Sequence, residues 1–422
     1  MKIAIYGLGY VGLTAAACLT SEGHTVLGID VSEQKVRETN LGRSPIKEPG
    51  LEELLVKGVN AGLLHCVTDG SSGLSDCDMA IVCVGTPSGV DGSHNMAYIA
   101  EVSRQIATSV DKDTDRTTPL TVVYRSTIRP GTTEELIHPI FASTLGAKMS
   151  AVELVYNPEF LREATAIKDY FHPPKIVVGT VDSLPNARMD ALHKNLDAPV
   201  FYTKYRESEI TKFVDNSFHA LKVAFANEIG RVCVQLGISA KKMHEIFISD
   251  TKLNISPYYF RPGGAFGGSC LPKDVRALQY IAADVGANTR LIDSLLRSNE
   301  AHKHFLFEYV TEKLKPGASV LMLGLAFKNH SDDMRESPKV DMARKLLNAG
   351  HNLSIYDPYL KPEHLIGQNL GYTFLHLPTL PQLLVTAEKI ATEHYDLVID
   401  MSGVARDLTL KCDRLVNLDA LQ

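Results

Sequence analysis

Short apolar segments recur along the first 200 residues and form the clearest pattern in the chain. The segment at residues 2–6 leads into a glycine-rich turn and an alanine-rich helical pattern, and another helical pattern covers residues 96–110. The other apolar segments lie at residues 25–30, 79–84, 121–124, 154–156 and 176–178. Apolar strands that alternate with helices predict a mainly parallel, doubly wound sheet.

Long helical patterns occupy the middle of the chain. Helices are predicted at residues 207–235, 241–250, 272–285 and 291–314. The loop at residues 254–270 is rich in glycine, proline and aromatic residues. A long irregular loop inside a compact region is more often functional than not, so this loop is a candidate for binding or catalysis.

Apolar segments return in the last third of the chain. Strands are predicted at residues 319–323, 353–356, 372–375, 397–400 and 415–418, with a helix at 342–348. One strand ends in Gly324 and the next in Asp357, which loosely repeats the pattern of the first domain. The sequence therefore predicts an α/β protein of two Rossmann-like, doubly wound domains joined by a helical central region with a long helix. The predicted bounds are residues 1–200, 201–300 and 301–422.

Composition narrows the class of protein. The 422 residues are 45% hydrophobic and 22% charged, as in an ordinary globular protein, and the net charge of -6 disfavours a general binder of nucleic acid or anionic membrane. The 7 cysteines are odd in number and none is spaced C-x-x-C, which disfavours a disulfide framework or a metal site and favours a reducing compartment. Because we find neither a signal segment nor a membrane-spanning apolar run, we expect a cytoplasmic protein.

A glycine motif follows the first predicted strand. Gly7, Gly9 and Gly12 are spaced G-x-G-x-x-G and open a helix, and Asp30 closes the second strand. The glycines permit a tight turn and close approach of a pyrophosphate to the helix N-terminus, and the acid can bind a ribose diol and repel a 2′-phosphate. The motif favours NAD over NADP. Thr86 ends the third apolar strand, where it would contact the cofactor or form a plain turn.

The long central helix carries an unusual polar stripe. Lys212, Asn216, His219, Val223 and Asn227 are spaced to share one face. This face carries amide and imidazole groups and a single ammonium. Such a composition is more typical of a wet pocket than of a charge-rich solvated surface. An ordinary boundary face is the alternative interpretation.

Cys270 lies between small residues and a proline that can open a helix, with Lys273 and Asp274 close behind. A helix N-terminus and a lysine favour the thiolate, which is the nucleophilic form of cysteine. Alone, such a cysteine is more often a small buried hydrophobe. Glu159 and Glu163 would form a base and its orienting partner if their segment is helical.

Together these motifs resemble the nucleotide-sugar 6-dehydrogenases, the UDP-glucose and GDP-mannose dehydrogenase family. The resemblance covers essentially the whole chain and rests on GLGYVG, VGTP, RSTIRPGT, NPEFLRE, the helix of Lys212, FGGSCLPKD, GLAFK and MRESP. Residues 162–170 and 258–271 are similar to the GDP-mannose branch. In that branch a bulky side chain is expected at position 264, where this chain has Gly264, so the strictness of base selection is open.

The resemblance implies a four-electron oxidation of GDP-mannose at C6 to GDP-mannuronate, a precursor of alginate-like polymers, with two NAD molecules used in turn. Cys270 would add to the aldehyde and pass through a thiohemiacetal and a thioester, which water hydrolyses. Oxidation of UDP-glucose to UDP-glucuronate is the nearest alternative. A two-electron hydroxyacid dehydrogenase and a non-catalytic sensor of NAD and nucleotide sugar are further alternatives.

The resemblance also implies roles for individual residues and a homodimer or higher homo-oligomer. The catalytic set is Cys270, Lys212, Asn216, Glu163, Asp274 and Thr127, in which Lys212 and Asn216 stabilise the oxyanion and Glu163 positions water. The cofactor set is Gly7, Gly9, Tyr10, Val11, Gly12, Asp30, Lys35, Thr86, Arg125, Lys273 and Arg335. The substrate set is Glu163, Lys212, Asn216, His219, Asn227, Tyr258, Tyr259, Arg261, Gly267 and Lys328.

Overall fold

The structure, a computed structural model, describes residues 1–422 except 71–72, 88–94, 163, 257–262, 269–270, 328–331, 366 and 419–422. It divides into two compact units, Met1–His219 and Ala220–Gln422. None of the helices in the described part of the chain is long and apolar enough to cross a membrane.

The first unit is a sheet with helices packed on it. Its strands are β1 (Lys2–Tyr6), β2 (Thr25–Ile29), β3 (Leu64–Val67), β4 (Met79–Val82), β5 (Leu120–Tyr124), β6 (Val152–Tyr156), β7 (Ile176–Thr180) and β8 (Val200–Lys204). Its helices are α1 (Tyr10–Ser21), α2 (Glu33–Asn40), α3 (Leu51–Asn60), α4 (Ala97–Lys112), α5 (His138–Leu145), α6 (Ala166–Phe171) and α7 (Ala187–His193). Helix α8 (Tyr205–Gln235) begins in this unit, and the boundary between the two units falls within this helix.

The strand order is β3-β2-β1-β4-β5-β6-β7-β8. Neighbouring strands are parallel except β6 and β7, which are antiparallel. The order changes direction between β1 and β4, and ligands of such sheets bind beyond the carboxyl ends of the strands at this point.

Strand β1 is buried on both faces of the sheet. Ile3 and Ile5 pack into the core that includes α1 and α3, whereas Ala4 and Tyr6 pack into the core that includes α4 and α5. This two-sided burial explains why the segment is continuously apolar rather than alternating.

The second unit joins helices to a smaller sheet. Its helices are α9 (Ala240–Ser249), α10 (Leu271–Asp284), α11 (Arg290–Thr311), α12 (Pro338–Asn348), α13 (Gly367–His376), α14 (Leu380–Leu383) and α15 (Ala387–Thr392). Its strands are β9 (Ser319–Leu323), β10 (Asn352–Tyr356), β11 (Tyr395–Asp400) and β12 (Cys412–Asn417), in the order β10-β9-β11-β12 with all pairs parallel. The carboxylate of Glu228 accepts the N–H groups of Leu291 (2.7 Å) and Ile292 (3.0 Å) and so caps α11.

The predicted fold class is confirmed, with three local differences. The strand predicted at residues 372–375 is wrong, because that segment is part of α13. Strands β3 and β8 were not predicted. Residues 157–162 form no regular helix, so the helical spacing considered for Glu159 and Glu163 does not apply. The bounds predicted for the three domains stay a prediction.

Candidate active site

The glycine motif forms a turn between β1 and α1 that is shaped for close approach. Gly7 has φ +93° and its N–H donates to the carbonyl of Ile29 at 2.7 Å. A Cβ on Gly12 would lie 1.9 Å from the carbonyl oxygen of Gly7, whereas a Cβ on Gly9 would meet no atom within 4 Å. Gly12 therefore lets helix α1 pack closely on the turn. Gly9 leaves open space at the N-terminus of α1, beside Tyr10 and half-buried Val11. This arrangement fits the pyrophosphate of a dinucleotide.

Asp30 lies at the end of β2 and is held by three contacts. One carboxylate oxygen accepts the Leu8 N–H at 2.8 Å and contacts the ammonium of Lys35 at 3.2 Å, and the other accepts the Ser32 N–H at 2.9 Å. Asp30 is only 8% exposed. The structure thus brings Asp30 and Lys35 together and fixes the negative charge of Asp30 at the end of β2. The contact of Asp30 with a ribose diol stays a prediction.

Two threonines meet beyond the carboxyl ends of β4 and β5. The hydroxyl of Thr86 donates to the carbonyl of Thr127 at 2.8 Å. Arg125 follows β5 directly, and its buried Nε has no hydrogen-bond partner among the described residues. Burial raises the pKa of the Cys83 thiol to about 12, and the positive charge of Arg125 opposes that rise. Arg125 is therefore directed toward the interior near Cys83, and its role in cofactor binding stays a prediction.

A buried carboxylate that the sequence interpretation missed connects the glycine motif to the loop after β6. Glu48 accepts a hydrogen bond from the hydroxyl of Tyr10 and further hydrogen bonds from the N–H groups of Ala164 and Ala166, both at 2.8 Å. The Tyr10 hydroxyl also lies 3.2 Å from the carbonyl of Arg162. Ala164 has a positive φ of 66°, a conformation that needs such support. Glu48 therefore fixes the backbone on the C-terminal side of position 163.

Lys212 forms an ion pair that is largely shielded from water. Its ammonium lies 3.0 Å from a carboxylate oxygen of Glu159 and donates to the Glu159 carbonyl at 2.9 Å. The two side chains are 13% and 12% exposed. The ring of Phe160 lies 5.8 Å from the same ammonium. The NPEFLRE loop therefore orients Lys212 through Glu159, a contact that could not be recognised from helical spacing.

The other polar residues of α8 are open to solvent. Asn216 and His219 are exposed in the first unit, and Asn227 is exposed in the second. Asn227 lines an open cavity of about 710 Å³ with Arg231, Gln235 and Asn288. Exposure leaves these side chains accessible to a ligand, and their roles in substrate binding stay predictions.

The second unit contains the residues that flank the predicted nucleophile. Gly267 and Gly268 are buried, and α10 begins at Leu271. Lys273 and Asp274 contact each other at 3.3 Å with both side chains 69% exposed, and Arg335 pairs with Asp333 at 2.8 Å. Six of the predicted site residues lie outside the described residues, namely Glu163, Tyr258, Tyr259, Arg261, Cys270 and Lys328.

The turn after β9 repeats the device seen after β1. Gly324 has φ +88° and its N–H donates to the carbonyl of Tyr356 at 2.8 Å. Asp357 accepts the N–H groups of Leu325 (2.9 Å) and Ala326 (3.1 Å). The loose repeat predicted from sequence is thus a repeat of hydrogen bonds, with Asp357 in the place that Asp30 has in the first unit.

Comparison with known proteins gives the family. The UDP-glucose/GDP-mannose dehydrogenase family matches with its NAD-binding domain at residues 1–197, its central domain at 206–301 and its UDP-binding domain at 321–402. A GDP-mannose 6-dehydrogenase of Pseudomonas putida is 42% identical over 400 residues, covering 94% of this chain and 90% of the relative. A UDP-glucose 6-dehydrogenase of Bacillus subtilis is 35% identical over 376 residues, covering 88% and 83%.

Solved structures agree with these relatives. A ternary complex of GDP-mannose dehydrogenase from Pseudomonas aeruginosa matches with a TM-score of 0.91 at 38% identity, covering 99% of this chain and 96% of the other. A UDP-glucose dehydrogenase from Pyrobaculum islandicum matches with a TM-score of 0.57 at 30% identity, covering 100% and 98%. The chain therefore belongs to the UDP-glucose/GDP-mannose dehydrogenase family, and its first 197 residues are the NAD-binding domain of that family.

Proposed function

We propose that the protein oxidises C6 of GDP-mannose to the carboxylate of GDP-mannuronate, with two NAD molecules that each accept one hydride. The observation that carries this proposal is the pattern of relatives. Six proteins named GDP-mannose 6-dehydrogenase are 41–42% identical to this chain, whereas two named UDP-glucose 6-dehydrogenase are 35% and 34% identical. The TM-scores of 0.91 and 0.57 point the same way.

The first oxidation needs a group that stabilises negative charge on the C6 oxygen. Lys212 suits this role because its ammonium is oriented by Glu159 at 3.0 Å and is only 13% exposed, which strengthens its electrostatic effect. Asn216, one turn further along α8, would supply an amide N–H to the same oxygen. Thr127 and Asp274 would complete the network, and Glu163 would position water.

The second oxidation needs a nucleophile, because an aldehyde has no hydrogen on oxygen to lose as its hydride leaves. The Cys270 thiolate would add to the aldehyde carbon, and hydride loss from the resulting thiohemiacetal would leave a thioester. Water would hydrolyse the thioester to the carboxylate and release the thiol. Lys212 and Asn216 would stabilise the oxyanion of each tetrahedral species.

UDP-glucose remains the alternative substrate because of Gly264. A Cβ at this exposed position would meet no atom within 4 Å among the described residues, so the chain leaves space where a bulky side chain is expected. That space would relax the selection of the nucleotide base.

Counting NADH tests substrate and reaction together. We expect two NADH per GDP-mannose consumed and slower turnover of UDP-glucose. The rate of carboxylate formation by Cys270→Ser should fall by several orders of magnitude while the variant still binds NAD. Cys412→Ser is the matched control, because Cys412 lies on β12 and is not among the predicted site residues. One NADH per substrate with an active Cys270→Ser enzyme would point to a two-electron dehydrogenase, and binding without NADH would point to a sensor.

We further propose the three-part organisation expected from sequence, a homodimer or higher homo-oligomer, and a location in the cytoplasm. The six cysteines among the described residues are all free, which supports a reducing compartment. Support for the oligomer comes from the second unit, where Val223 is 61% and Val234 is 70% exposed.

A further inference from the structure

The chain immediately before the predicted nucleophile packs tightly within the second unit. A Cβ on Gly267 would lie 2.2 Å from the carbonyl oxygen of Glu336, and a Cβ on Gly268 would lie 2.4 Å from the ring of Phe327. Gly268 also has φ +81°, which side chains rarely adopt. Neither glycine can therefore carry a side chain without displacing this segment or its neighbours.

Glu336 contacts the chain on both sides of Ser269 and Cys270, which themselves lie outside the described residues. Its carbonyl oxygen accepts the N–H of Gly268 at 3.2 Å. Its carboxylate binds the guanidinium of Arg276 through two hydrogen bonds, each 3.1 Å long. Because Arg276 lies in the second turn of α10, one residue connects the segment before the cysteine to the helix after it.

The position of Glu336 is itself fixed by the next residue. Ser337 is fully buried, donates its hydroxyl to the carbonyl of Leu325 at 2.9 Å, and accepts the N–H of Lys339 as the N-cap of α12. Glu336 has a φ of +53°, which is unusual for a side chain of this size and is maintained only where the surroundings determine it. The contacts of Glu336 are therefore anchored to a rigid part of the unit.

The pair with Arg276 is too exposed to serve mainly for stability. The two side chains are 52% and 38% exposed, and ion pairs at such positions contribute little to folding. Two parallel hydrogen bonds between planar groups nevertheless fix direction as well as distance. This geometry is suited to setting the orientation of α10 relative to the segment that ends at Gly268.

We propose that Glu336 is a positioning residue for the nucleophile of the second oxidation, acting through Gly268 on one side of Cys270 and through Arg276 on the other. The proposal rests on the function proposed for Cys270. The first hydride transfer needs no sulfur, whereas thiohemiacetal formation needs the sulfur in line with the aldehyde carbon. A displacement of about 1 Å at such a step can lower its rate by about 100-fold.

A single-turnover experiment separates these two steps. The enzyme would be saturated with NAD and mixed with a smaller molar amount of GDP-mannose. The formation of NADH would then be followed in time for wild type, Glu336→Gln and Arg276→Gln. We expect the first equivalent of NADH to form within about threefold of the wild-type rate and the second to slow by about 10- to 100-fold in both variants. Glu101→Gln is the matched control, because Glu101 forms an exposed pair with Arg104 at 3.3 Å, and it should behave as wild type.

Equal slowing of both equivalents, or an unchanged second equivalent, would overturn the proposal, because a general loss of structure affects both steps. Arg276→Gln leaves the backbone at position 336 untouched, so it tests the inference even where Glu336→Gln fails to fold. Wild-type enzyme that forms no NADH from GDP-mannose would refute the proposed function instead. The rate of Cys270 alkylation by iodoacetamide then decides the positioning role: a change of more than about threefold in Glu336→Gln supports it, and an unchanged rate contradicts it.

Discussion

The contacts of Asp30 suit the role that the sequence predicts for it in the choice of cofactor. Its carboxylate uses one oxygen for the Leu8 N–H and the Lys35 ammonium and the other for the Ser32 N–H, so its orientation is determined by the turn around it. A carboxylate fixed in this way offers its remaining lone pairs to a ribose diol. It would also repel a phosphate on the same ribose.

Replacing Asp30 with alanine should therefore change cofactor preference. Loss of the contact with the ribose diol should lower the affinity for NAD by about 10- to 100-fold, since hydrogen bonds to a charged group contribute about 1.5–3 kcal/mol. Exclusion of NADP should relax at the same time, because Lys35 loses the carboxylate that lies 3.2 Å from its ammonium and can meet a 2′-phosphate. Comparing kcat/KM for NAD and NADP measures both effects. An unchanged ratio in Asp30→Ala would contradict the assignment of Asp30 to the ribose.

Two buried carboxylates hold the described residues of the loop between β6 and α6. Glu48 holds its backbone at Ala164 and Ala166 from one side. From the other side Asp169 accepts the backbone N–H of Arg162 at 3.0 Å and two guanidinium hydrogen bonds from the same residue. The hydrogen bonds from Arg162 lower the pKa of Asp169 below its usual value.

This shift predicts a pH dependence of stability. Because the pKa of Asp169 is lower in the folded state, the unfolded chain binds more protons, so the contribution of Asp169 is present above the unfolded pKa of about 3.9 and is lost as pH falls through the folded value. Melting temperatures of wild type and Asp169→Asn should differ most near neutral pH and converge below about pH 4. The difference should be modest, since the Arg162 side chain is 73% exposed. A difference that stays constant down to pH 3 would show that the carboxylate charge is not its source.

Elements with a strong local pattern could be predicted from sequence, and those with a weak one could not. The apolar run of β1 and the long α8 are both in place. The error at residues 372–375 arose from a short run rich in tyrosine, threonine and phenylalanine, which is typical of strands. Buried Thr373 of α13 and buried Leu377, which directly follows the helix, are instead four residues apart, a helical spacing that extends beyond the predicted strand. Strand β8 has the sequence VFYTK, whose residue types are typical of strands, but it was missed, and none of its five residues is buried.

The candidate site divides in the same way. The position of Asp30 at the end of β2 was predictable because it belongs to a local motif, and its contact with the ribose stays a prediction. NAD binding is confirmed by the family of the domain. The contacts of Glu48, Glu159 and Glu336 could not be predicted, because each joins segments that are far apart in the chain. Glu48 and Ala166 are 118 residues apart, and Arg276 and Glu336 are 60 residues apart. A single sequence contains no signal for such pairs.

At the scale of the whole molecule, the chain uses one turn design twice. A glycine with positive φ after a central strand donates its N–H to the end of the next strand, and an aspartate there accepts backbone N–H groups from the turn. Gly7 and Asp30 form this arrangement in the first unit, and Gly324 and Asp357 form it in the second. The second unit includes residues 321–402, which match the family's UDP-binding domain, so both units carry a turn suited to a nucleotide.

The proposed oligomer follows from apolar residues that one copy of the chain leaves in water. In the second unit the exposed set includes Leu221, Val223, Val234, Leu236, Ile238, Met243, Ile246 and Ile248. Such a concentration over α8, α9 and the segment between them is unusual for a monomer, and a second copy of the chain would remove it from water. A charge placed there should oppose association, because burying an unpaired carboxylate is costly.

Val223→Glu and Val234→Glu should therefore shift the protein to a smaller mass in light scattering, whereas wild type should have at least twice the mass of the 46.2 kDa chain. Val181→Glu is the control, because Val181 is 74% exposed in a turn of the first unit and lies outside the apolar set. The measurement should be repeated over a range of protein concentrations, since dissociation of a weakened dimer depends on concentration. A wild-type mass equal to one chain would refute the oligomer. Unchanged masses in both valine variants would show that the interface does not include this part of α8, because a glutamate at a buried apolar contact weakens association.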